Sequence, residues 1–262
     1  MAAPAVVAAD LARPRVDRLD LLGVPLDTIG RAEIEQRLAA QLGESGSGLL
    51  HLVTLNPEYV IASRSTSDFR EAIGRAELSV PDGIGVVMAA RWLSGRRISR
   101  VTGVELASWL LSANGLTEAR VFLLGTPGSI AELQGRHPTR VVGRWGAGSA
   151  AQTDDAESIG RIREAGATVV LVGYGAPAQV RWVERNRAGL ADAGVRVAVG
   201  VGGALDYLAG TVPRAPESVR ALGLEWAYRL VREPWRWRRQ LALPRFALLV
   251  ARARFGRSIS GG

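Results

Sequence analysis

The residues best suited to chemistry lie at a Pro-Asp-Gly turn in the segment Val80-Pro81-Asp82-Gly83-Ile84-Gly85. The turn places one carboxylate between a short apolar strand and an apolar helix, where a side chain can reach the mouth of an α/β sheet. The chain has two histidines and no cysteine, so few other side chains could move a proton near neutral pH. We therefore interpret Asp82 as a candidate catalytic base. The alternative is that Asp82 only caps the helix that follows.

Two more polar side chains, Thr54 and Asn56, lie at and just beyond the end of a strand predicted over Leu49 to Leu55. Because parallel strands end at the same edge of a sheet, both could converge with Asp82 on one crevice. Hydroxyl and amide groups there suit sugar hydroxyls or an acetamido group. The alternative for Asn56 is that it caps the helix beginning at Pro57.

Three glycine-rich segments, at 125–128, 173–175 and 200–203, each lie where a predicted strand meets a helix. Glycine at such a turn lets backbone N–H groups approach a phosphate, and the helix N-terminus adds partial positive charge. The alternative is that these are ordinary tight turns. None of them matches the dinucleotide fingerprint G-x-G-x-x-G, and the absence of lysine excludes a P-loop.

The charge of the chain is strongly basic, with a formal net charge of +8, and all of its 33 basic residues are arginine. Eleven of them fall between residues 214 and 257, together with only three acidic residues and three of the seven tryptophans. Arg229, Arg232, Arg236 and Arg239 recur at spacings of three and four, as on one face of a helix. This face could clamp a pyrophosphate, lie on an anionic membrane or bind nucleic acid.

Composition and patterning predict one large α/β core. At 262 residues and 47% apolar content the chain can bury a full core, and helices alternate with nearly continuous apolar strands. We predict a disordered leader over 1–16, a Rossmann-like parallel sheet covered by helices on both faces over 17–213, and a basic helical C-terminal appendage over 214–262. No segment approaches the about 20 apolar residues of a membrane span.

The finer predictions include a strand over Leu21–Val24 and a single helix over Pro177–Arg187. His51 falls in a strand, where we interpret it as a packing residue. The absence of cysteine excludes disulfides and thiol nucleophiles. The sequence contains neither D-x-D nor H-E-x-x-H, so it gives no metal-binding motif.

Taken together, these segments resemble the WecG/TagA/CpsF family, glycosyltransferase family 26, over roughly residues 20 to 240. No single segment is specific, but their order and spacing are. The matching segments are T-L-N-P-E at 54–58, P-D-G-I-G at 81–85, R-V-T-G at 100–103, L-L-G at 123–125, V-G-Y-G-A-P-A-Q at 172–179, G-V-G-G-A-L-D at 200–206, R-A-P at 214–216, G-L-E-W-A-Y-R-L at 223–230, and E-P at 233–234 with Arg236.

The resemblance implies an inverting, metal-independent hexosyltransferase that needs no cofactor. Its donor would be a UDP-sugar, most often of N-acetylmannosamine or its uronic acid, and its acceptor a sugar on undecaprenyl diphosphate. Such an enzyme would be cytoplasmic and peripheral on the inner face of the plasma membrane, where it would contact an anionic surface, and it could form a homo-oligomer. It would serve the synthesis of a cell-surface polysaccharide or a teichoic-acid-type polymer.

The resemblance also assigns roles to residues of this chain. Asp82 would be the base, the C-terminal arginines would reach the diphosphate of the donor, and the other matched positions would bind the sugar or the nucleotide. The predicted substrate-binding residues are Thr54, Asn56, Gly83, Arg100, Thr102, Gly125, Gly173, Gly175, Gln179, Gly202, Asp206, Arg229, Arg236 and Arg239.

The chain departs from the family pattern at three positions. Ala178 and Val180 stand where Lys and Glu are usual, and Leu205 stands where Phe is usual. These departures bear on the identity of the donor, so UDP-glucose or another UDP-hexose, used in exopolysaccharide synthesis, is an alternative. From other classes, a nucleic-acid-binding module and a non-catalytic nucleotide sensor remain alternatives, although we expect no nucleic acid partner because no nucleic-acid-binding motif is present.

Overall fold

The computed structural model describes residues 17–43, 48–112, 116, 118–213, 215–216, 218–219, 225–232 and 241–259. In these residues eight strands form a two-stranded hairpin and a six-stranded sheet. The strands are β1 (Arg18–Leu21), β2 (Val24–Asp27), β3 (Leu50–Leu55), β4 (Leu78–Pro81), β5 (Val121–Leu124), β6 (Val141–Trp145), β7 (Val169–Val172) and β8 (Val197–Gly200).

Helices occupy most of the connections between the strands. They are α1 (Arg31–Leu42), α2 (Pro57–Ser65), α3 (Ser67–Arg75), α4 (Ile84–Ser94), α5 (Gly103–Leu111), α6 (Pro127–Arg136), α7 (Asp155–Glu164), α8 (Ala178–Arg185), α9 (Arg187–Asp192), α10 (Ala204–Ala209), α11 (Glu225–Arg232) and α12 (Ala242–Ile259). A short 3₁₀ turn, Gln152–Asp154, precedes α7.

The six-stranded sheet is parallel throughout, with the strand order β4-β3-β8-β7-β5-β6. The chain leaves β3 toward β4 on one side, and all later strands lie on the other side of β3. The order therefore reverses between β3 and β8, and the crevice outside the carboxyl ends of such strands is where open α/β sheets bind ligands.

Both faces of the sheet are buried under helices, which confirms the predicted covered parallel sheet. One face packs its strand residues, such as Leu52 and Leu171, against apolar side chains of α1, α5, α6 and α10. On the other face, Val53 packs with α2, α3 and α4, while Val170 packs with α7, α8 and α9. Five of the six strands are buried throughout, which explains their nearly continuous apolar sequences, while the edge strand β6 exposes Arg144.

Two of the finer predictions are wrong. The predicted strand over Leu21–Val24 is instead the turn of a hairpin, because Leu22 and Gly23 both take positive φ values, 59° and 93°, and reverse the chain between β1 and β2. The predicted single helix over Pro177–Arg187 is two helices. Asn186 ends α8 outside the helical region, at φ −97° and ψ 11°, and α9 begins at the next residue.

The last helix, α12, packs against α2 and α4. Its Phe246 and Val250 are buried in the same cluster as Val53 and Leu55 of β3. This part of the chain therefore contributes to the core. Of the predicted units, the leader over 1–16 lies outside the described residues, and the division at residue 214 stays a prediction.

Candidate active site

A crevice of about 450 Å³ lies at the carboxyl edge of the sheet, over the switch between β3 and β8. The residues that follow β3, β4, β7 and β8 form its sides, with the first turns of α2, α4 and α10. It is lined by Thr54, Asn56, Pro57, Glu58, Tyr59, Asp82, Gly83, Ile84, Gly85, Arg100, Thr102, Val104, Thr126, Gly173, Tyr174, Gly175, Ala176, Gln179, Val201, Gly202, Gly203, Ala204, Asp206, Tyr207 and Leu243. The structure thus brings together most of the residues that the sequence predicts for a site.

Asp82 directly follows β4, and its side chain is half-buried in this crevice. The interpretation of Asp82 as the cap of α4 is wrong. Gly83 is the N-cap residue, at φ 95°, and no side chain caps the helix. The Asp82 backbone N–H donates to the Leu55 carbonyl at 2.8 Å, while its carboxylate accepts from the Gly103 N–H at 3.4 Å. The carboxylate is therefore directed at the crevice and at the start of α5.

The start of α5 is fixed by a capping box between Thr102 and Glu105. The hydroxyl and the N–H of Thr102 both donate to Glu105 Oε2, at 2.8 and 3.0 Å. The Glu105 N–H donates to the Thr102 hydroxyl oxygen at 3.2 Å. Burial alone would raise the pKa of Glu105, but the hydrogen bonds from Thr102 lower it. The capping box holds the Gly103 N–H, which contacts Asp82, so the hydroxyl of Thr102 positions the candidate base.

Thr54 and Asn56 both line the crevice, and each also has a structural contact. The Thr54 hydroxyl donates to the Gly200 carbonyl at 3.0 Å and so ties β3 to β8. The Asn56 Oδ1 accepts from the Tyr59 N–H at 3.2 Å, so the helix-capping alternative for Asn56 is confirmed. The cap uses an acceptor of Asn56, and its Nδ2 group keeps donors for a ligand in the crevice.

The loops after β7 and β8 carry the glycines that reach the crevice. Gly173, Gly175 and Gly202 line it, and the last two take φ values of 77° and 52°, which favour glycine. Gly125 does not belong to the lining. A Cβ at Gly125 would lie 3.3 Å from Leu205 Cδ1, so this glycine allows close packing beneath the loops.

Gln179 and Asp206 also line the crevice, but other residues already bond to them. Asp206 Oδ1 accepts from the Ser129 hydroxyl at 2.6 Å. Gln179 is only 2% exposed and hydrogen-bonds Gly175, Gly202 and Tyr59.

The three predicted arginines of the C-terminal region cannot be placed in the crevice. Arg229 belongs to α11, and the structure does not describe its side chain. Arg236 and Arg239 lie outside the described residues. Their contact with a donor stays a prediction. Arg100, in contrast, lines the crevice together with Asp82 and Thr102.

Sequence reasoning missed several lining residues, above all Glu58, Thr126, Tyr174 and Tyr207. Glu58, Tyr174 and Tyr207 lie within or directly beside the motifs T-L-N-P-E, V-G-Y-G and G-G-A-L-D, so their positions could have been inferred from the motif glycines and carboxylates next to them. Burial raises the pKa of Tyr174 to about 12, so its hydroxyl stays protonated at neutral pH. Leu243 comes from α12 and carries no sequence signal of its own.

The described lining residues include three carboxylates, Glu58, Asp82 and Asp206, and one guanidinium, Arg100. In the described part of the chain, no group of three or more acidic, histidine or cysteine side chains stands close enough to hold a metal ion. Nor does any helix of that part have the length and apolar character to cross a membrane.

A crevice at the switch point of a parallel sheet, lined by glycine loops and a rim carboxylate, is typical of α/β enzymes that act on nucleotide-linked substrates. A family profile described as glycosyl transferase WecG/TagA/CpsF matches residues 19–260. The chain therefore belongs to the WecG/TagA/CpsF family of glycosyltransferases.

Two relatives with established names share most of this chain. One is the N-acetylglucosaminyldiphosphoundecaprenol N-acetyl-beta-D-mannosaminyltransferase of Bacillus subtilis strain 168, 30% identical over 231 residues, which covers 86% of this chain and 84% of the relative. The other bears the same name and comes from Staphylococcus aureus strain MW2. It is 29% identical over 247 residues, which covers 92% of this chain and 95% of the relative.

Proposed function

We propose that this glycosyltransferase moves N-acetylmannosamine from a UDP donor to N-acetylglucosaminyl diphosphoundecaprenol, with inversion and without a metal ion, and that Asp82 is its catalytic base. The observation that carries the proposal is the position of Asp82. Its carboxylate lies at the rim of the crevice, within the same lining as Thr54, Asn56 and Arg100. The names of the relatives support the donor sugar and the acceptor.

Inversion at the anomeric carbon requires a base on the side opposite the leaving UDP. In the proposed reaction, the acceptor hydroxyl oxygen forms the new bond to the anomeric carbon while the carbon–oxygen bond to UDP breaks. The Asp82 carboxylate takes the hydroxyl proton, and UDP leaves with the bonding electron pair. The loops after β7 and β8 bring backbone groups to the side of the crevice away from β4, where the diphosphate would lie.

The charge of the described lining residues supports a role for arginines that lie outside this group. Three carboxylates and one guanidinium, Arg100, give the lining a negative balance, which opposes binding of a diphosphate. Arginine is the residue best suited to offset this charge, because its planar fork pairs with phosphate oxygens. We propose Arg229, Arg236 and Arg239 for this role. Arg236→Ala is expected to raise the donor KM or to lower kcat, and unchanged kinetics would remove this arginine from the site.

The test of the proposed function measures UDP release with a panel of UDP-sugars and a short-chain lipid-diphosphate-N-acetylglucosamine acceptor. UDP-N-acetylmannosamine should give the highest kcat/KM, and NMR of the product should show a β linkage. The same panel includes UDP-N-acetylmannosaminuronic acid and UDP-glucose. A higher kcat/KM with either of them would replace the donor, and UDP binding without acceptor-dependent release from any donor would identify a nucleotide sensor.

We also propose that the enzyme works on the surface of an anionic membrane through α4 and α12. On α4, Ile84, Met88 and Trp92 recur every four residues and are 37%, 62% and 48% exposed. The Trp92 ring meets Phe255 of α12 edge-on, with ring centroids 6.0 Å apart, and Phe255 is itself 62% exposed. These four side chains form an exposed apolar stripe. Apolar side chains that pack together are normally buried, so the exposed stripe indicates a surface that contacts another molecule or a membrane.

The charge around this stripe favours lipid over a second copy of the chain. Residues 84–100 include four arginines, of which Arg96 pairs with Asp17, and residues 242–259 include another four; neither segment has an acidic residue of its own. A two-fold contact through this surface would set the arginines of one copy against those of the other. Anionic lipid headgroups supply the opposite charge, while Trp and Met suit the boundary between headgroups and acyl chains. An oligomer, if formed, would use another surface.

Vesicle flotation tests this surface. Burial of a large apolar side chain contributes about 1.5–3 kcal/mol, so Trp92→Glu with Met88→Glu should weaken binding to phosphatidylglycerol vesicles by at least about tenfold. Ala188→Glu with Ala191→Glu on α9, both at exposed positions, adds the same two charges elsewhere and serves as the matched control. Equal flotation of the double variant and the control would reject the surface. Binding to DNA but not to vesicles would favour the nucleic acid alternative.

A further inference from the structure

Gln179 is the second residue of α8, and its side chain is almost fully buried, with 2% of its surface exposed. The family resemblance implies that this residue lies near the nucleotide and binds the substrate. A buried amide that binds a ligand should keep hydrogen-bonding groups for it, so the partners of the amide decide between a ligand contact and a role within the protein.

The Gln179 amide already bonds to three protein groups. Oε1 accepts from the Gly175 N–H at 3.1 Å and from the Gly202 N–H at 2.9 Å. Nε2 donates one of its two N–H groups to the Tyr59 hydroxyl at 2.6 Å, and the other is buried with the rest of the side chain, which is 2% exposed. The orientation of the amide follows from its partners, because two backbone N–H groups can only donate and the atom between them must be the oxygen.

These three bonds join three sides of the crevice. Gly175 belongs to the loop after β7, Gly202 belongs to the loop after β8, and Tyr59 lies on the first turn of α2 next to Asn56. The two loops also touch directly, since a Cβ on Gly173 would lie 3.3 Å from the Gly202 carbonyl oxygen. One buried side chain therefore fixes the relative positions of both glycine loops and of α2.

The space for this amide depends on glycine. A Cβ at Gly200, the last residue of β8, would lie 2.8 Å from Gln179 Nε2 and 3.1 Å from its Cδ. Real Cβ atoms do not approach so closely, so any larger residue at this position would displace the amide. Gly202 meets the oxygen of the amide with a φ of 52°, a conformation that glycine adopts at little cost.

We infer that Gln179 is a positioning residue: its carboxamide holds the loops after β7 and β8 in the conformation that binds the nucleotide, and it makes no contact with the donor. The inference rests on the proposed function only in taking a UDP-sugar as the ligand. Without the amide, the two loop N–H groups lose their acceptor and the loops sample other conformations. If one molecule in ten keeps the binding conformation, the apparent Kd rises about tenfold.

The experiment combines hydrogen exchange of the ligand-free protein with UDP binding by calorimetry and donor kinetics. Gln179→Leu keeps the approximate shape and removes all three bonds. It should speed amide exchange in peptides covering 173–176 and 200–204 by about tenfold, while exchange in the core strand β5 stays as in wild type. The UDP Kd and the donor KM should rise about tenfold, with kcat within about threefold, because the loops act through affinity.

Two further variants separate positioning from direct contact. Gln179→Glu can accept from both loop N–H groups and from the Tyr59 hydroxyl, so it should restore slow loop exchange. Gly200→Ala removes no hydrogen-bonding group but displaces the amide, so it should reproduce the loop exchange and affinity loss of Gln179→Leu. If Gln179→Leu does not fold, these two variants carry the test.

Wild-type loop exchange in Gln179→Leu or in Gly200→Ala, together with weaker UDP binding, would mean that the amide contacts the nucleotide, and would overturn the inference. The exchange and UDP arms do not depend on the sugar or the acceptor. If the Gln179→Leu loops exchange faster but the wild-type enzyme transfers sugar from no donor, the proposed function is refuted while the positioning role of Gln179 is supported.

Discussion

Asp82→Asn is the substitution that bears most directly on the proposed mechanism. Asn has the shape of Asp, and its Oδ1 can still accept from the Gly103 N–H. The backbone bond from the Asp82 N–H to the Leu55 carbonyl does not involve the side chain. What the variant lacks is the ability to take a proton from the acceptor hydroxyl.

The structure sets the expected magnitudes. The side-chain bond to Gly103 is long, at 3.4 Å, and Asp82 is half-buried, so the stability loss should be about 1 kcal/mol or less. Removal of a general base slows catalysis by about 10²–10⁴-fold, which is about 2.7–5.5 kcal/mol in the activation barrier. The variant should therefore lose transfer while keeping its fold and its affinity for UDP.

The assay measures kcat from UDP release with the lipid-diphosphate acceptor, the UDP Kd by calorimetry, and the melting temperature. Asp154→Asn is the matched control, because the Asp154 carboxylate accepts from the Ser149 N–H at 2.8 Å and lies outside the crevice. That control should keep wild-type kcat. A kcat for Asp82→Asn within about threefold of wild type would refute Asp82 as the base, since it falls far outside the range for a lost general base.

Three further predictions concern stability and metal dependence. Asp27 is fully buried and accepts from Arg18 Nε at 2.7 Å and from the Ser79 N–H at 2.6 Å. Asp27→Ala should therefore lower the free energy of unfolding, measured in urea, by roughly 3 kcal/mol. A change below about 1 kcal/mol would contradict a stabilising role for these two bonds. Burial alone would raise the pKa of Glu184, but hydrogen bonds with His51 and Arg187 lower it to about 2. An unfolded Glu has a pKa of about 4.3, so the stabilisation from ionised Glu184 is complete above that pH and is lost as the pH falls toward 2. The difference in unfolding free energy between wild type and Glu184→Gln should therefore narrow between about pH 4.3 and pH 2. A constant difference would be evidence against the interaction of Glu184 with His51 and Arg187. EDTA should leave the transfer rate within about twofold, whereas a loss that Mg²⁺ restores would place a metal in the reaction.

The position of the crevice could be predicted from the sequence because it follows from topology. Apolar strands alternating with helices imply a parallel sheet, and the polar and glycine residues that follow such strands must meet at one edge. Thr54, Asp82 and Gly202 come together for this reason. The same reasoning could not separate a ligand contact from a structural one, because both require a polar side chain at the same place.

Thr102 and Gln179 illustrate this limit. Their positions in the crevice were predicted, but the hydroxyl of one caps α5 and the amide of the other joins two loops. Both roles depend on partners distant in the sequence or on the exact start of a helix. His51 is a similar case. The sequence suggests simple packing in a strand, yet its Nδ1 lies 2.6 Å from Glu184 Oε1, a partner more than 130 residues away.

The three departures from the family pattern do not alter the crevice surface. Val180 and Leu205 are buried, and neither they nor Ala178 belong to the lining. Leu205 packs beneath the glycine loops, where a Cβ on Gly173 would lie 3.1 Å from its Cδ1. A change from Phe to Leu at this position therefore adjusts packing under the loops. We therefore expect donor selection to depend on other residues of the lining, such as Asn56, Arg100 and Tyr207.

The proposed base and the proposed membrane surface are adjacent in the chain. Asp82 precedes α4 by two residues, and the apolar stripe runs along that helix from Ile84 to Trp92. At about 1.5 Å per residue, these positions span roughly 12 Å, so the orientation of α4 on a membrane fixes the height of the carboxylate above it. A sugar held by a lipid diphosphate lies close to the headgroups. If the enzyme docks through α4 as proposed, the acceptor hydroxyl would approach Asp82 from the membrane side, and membrane contact would be part of substrate positioning.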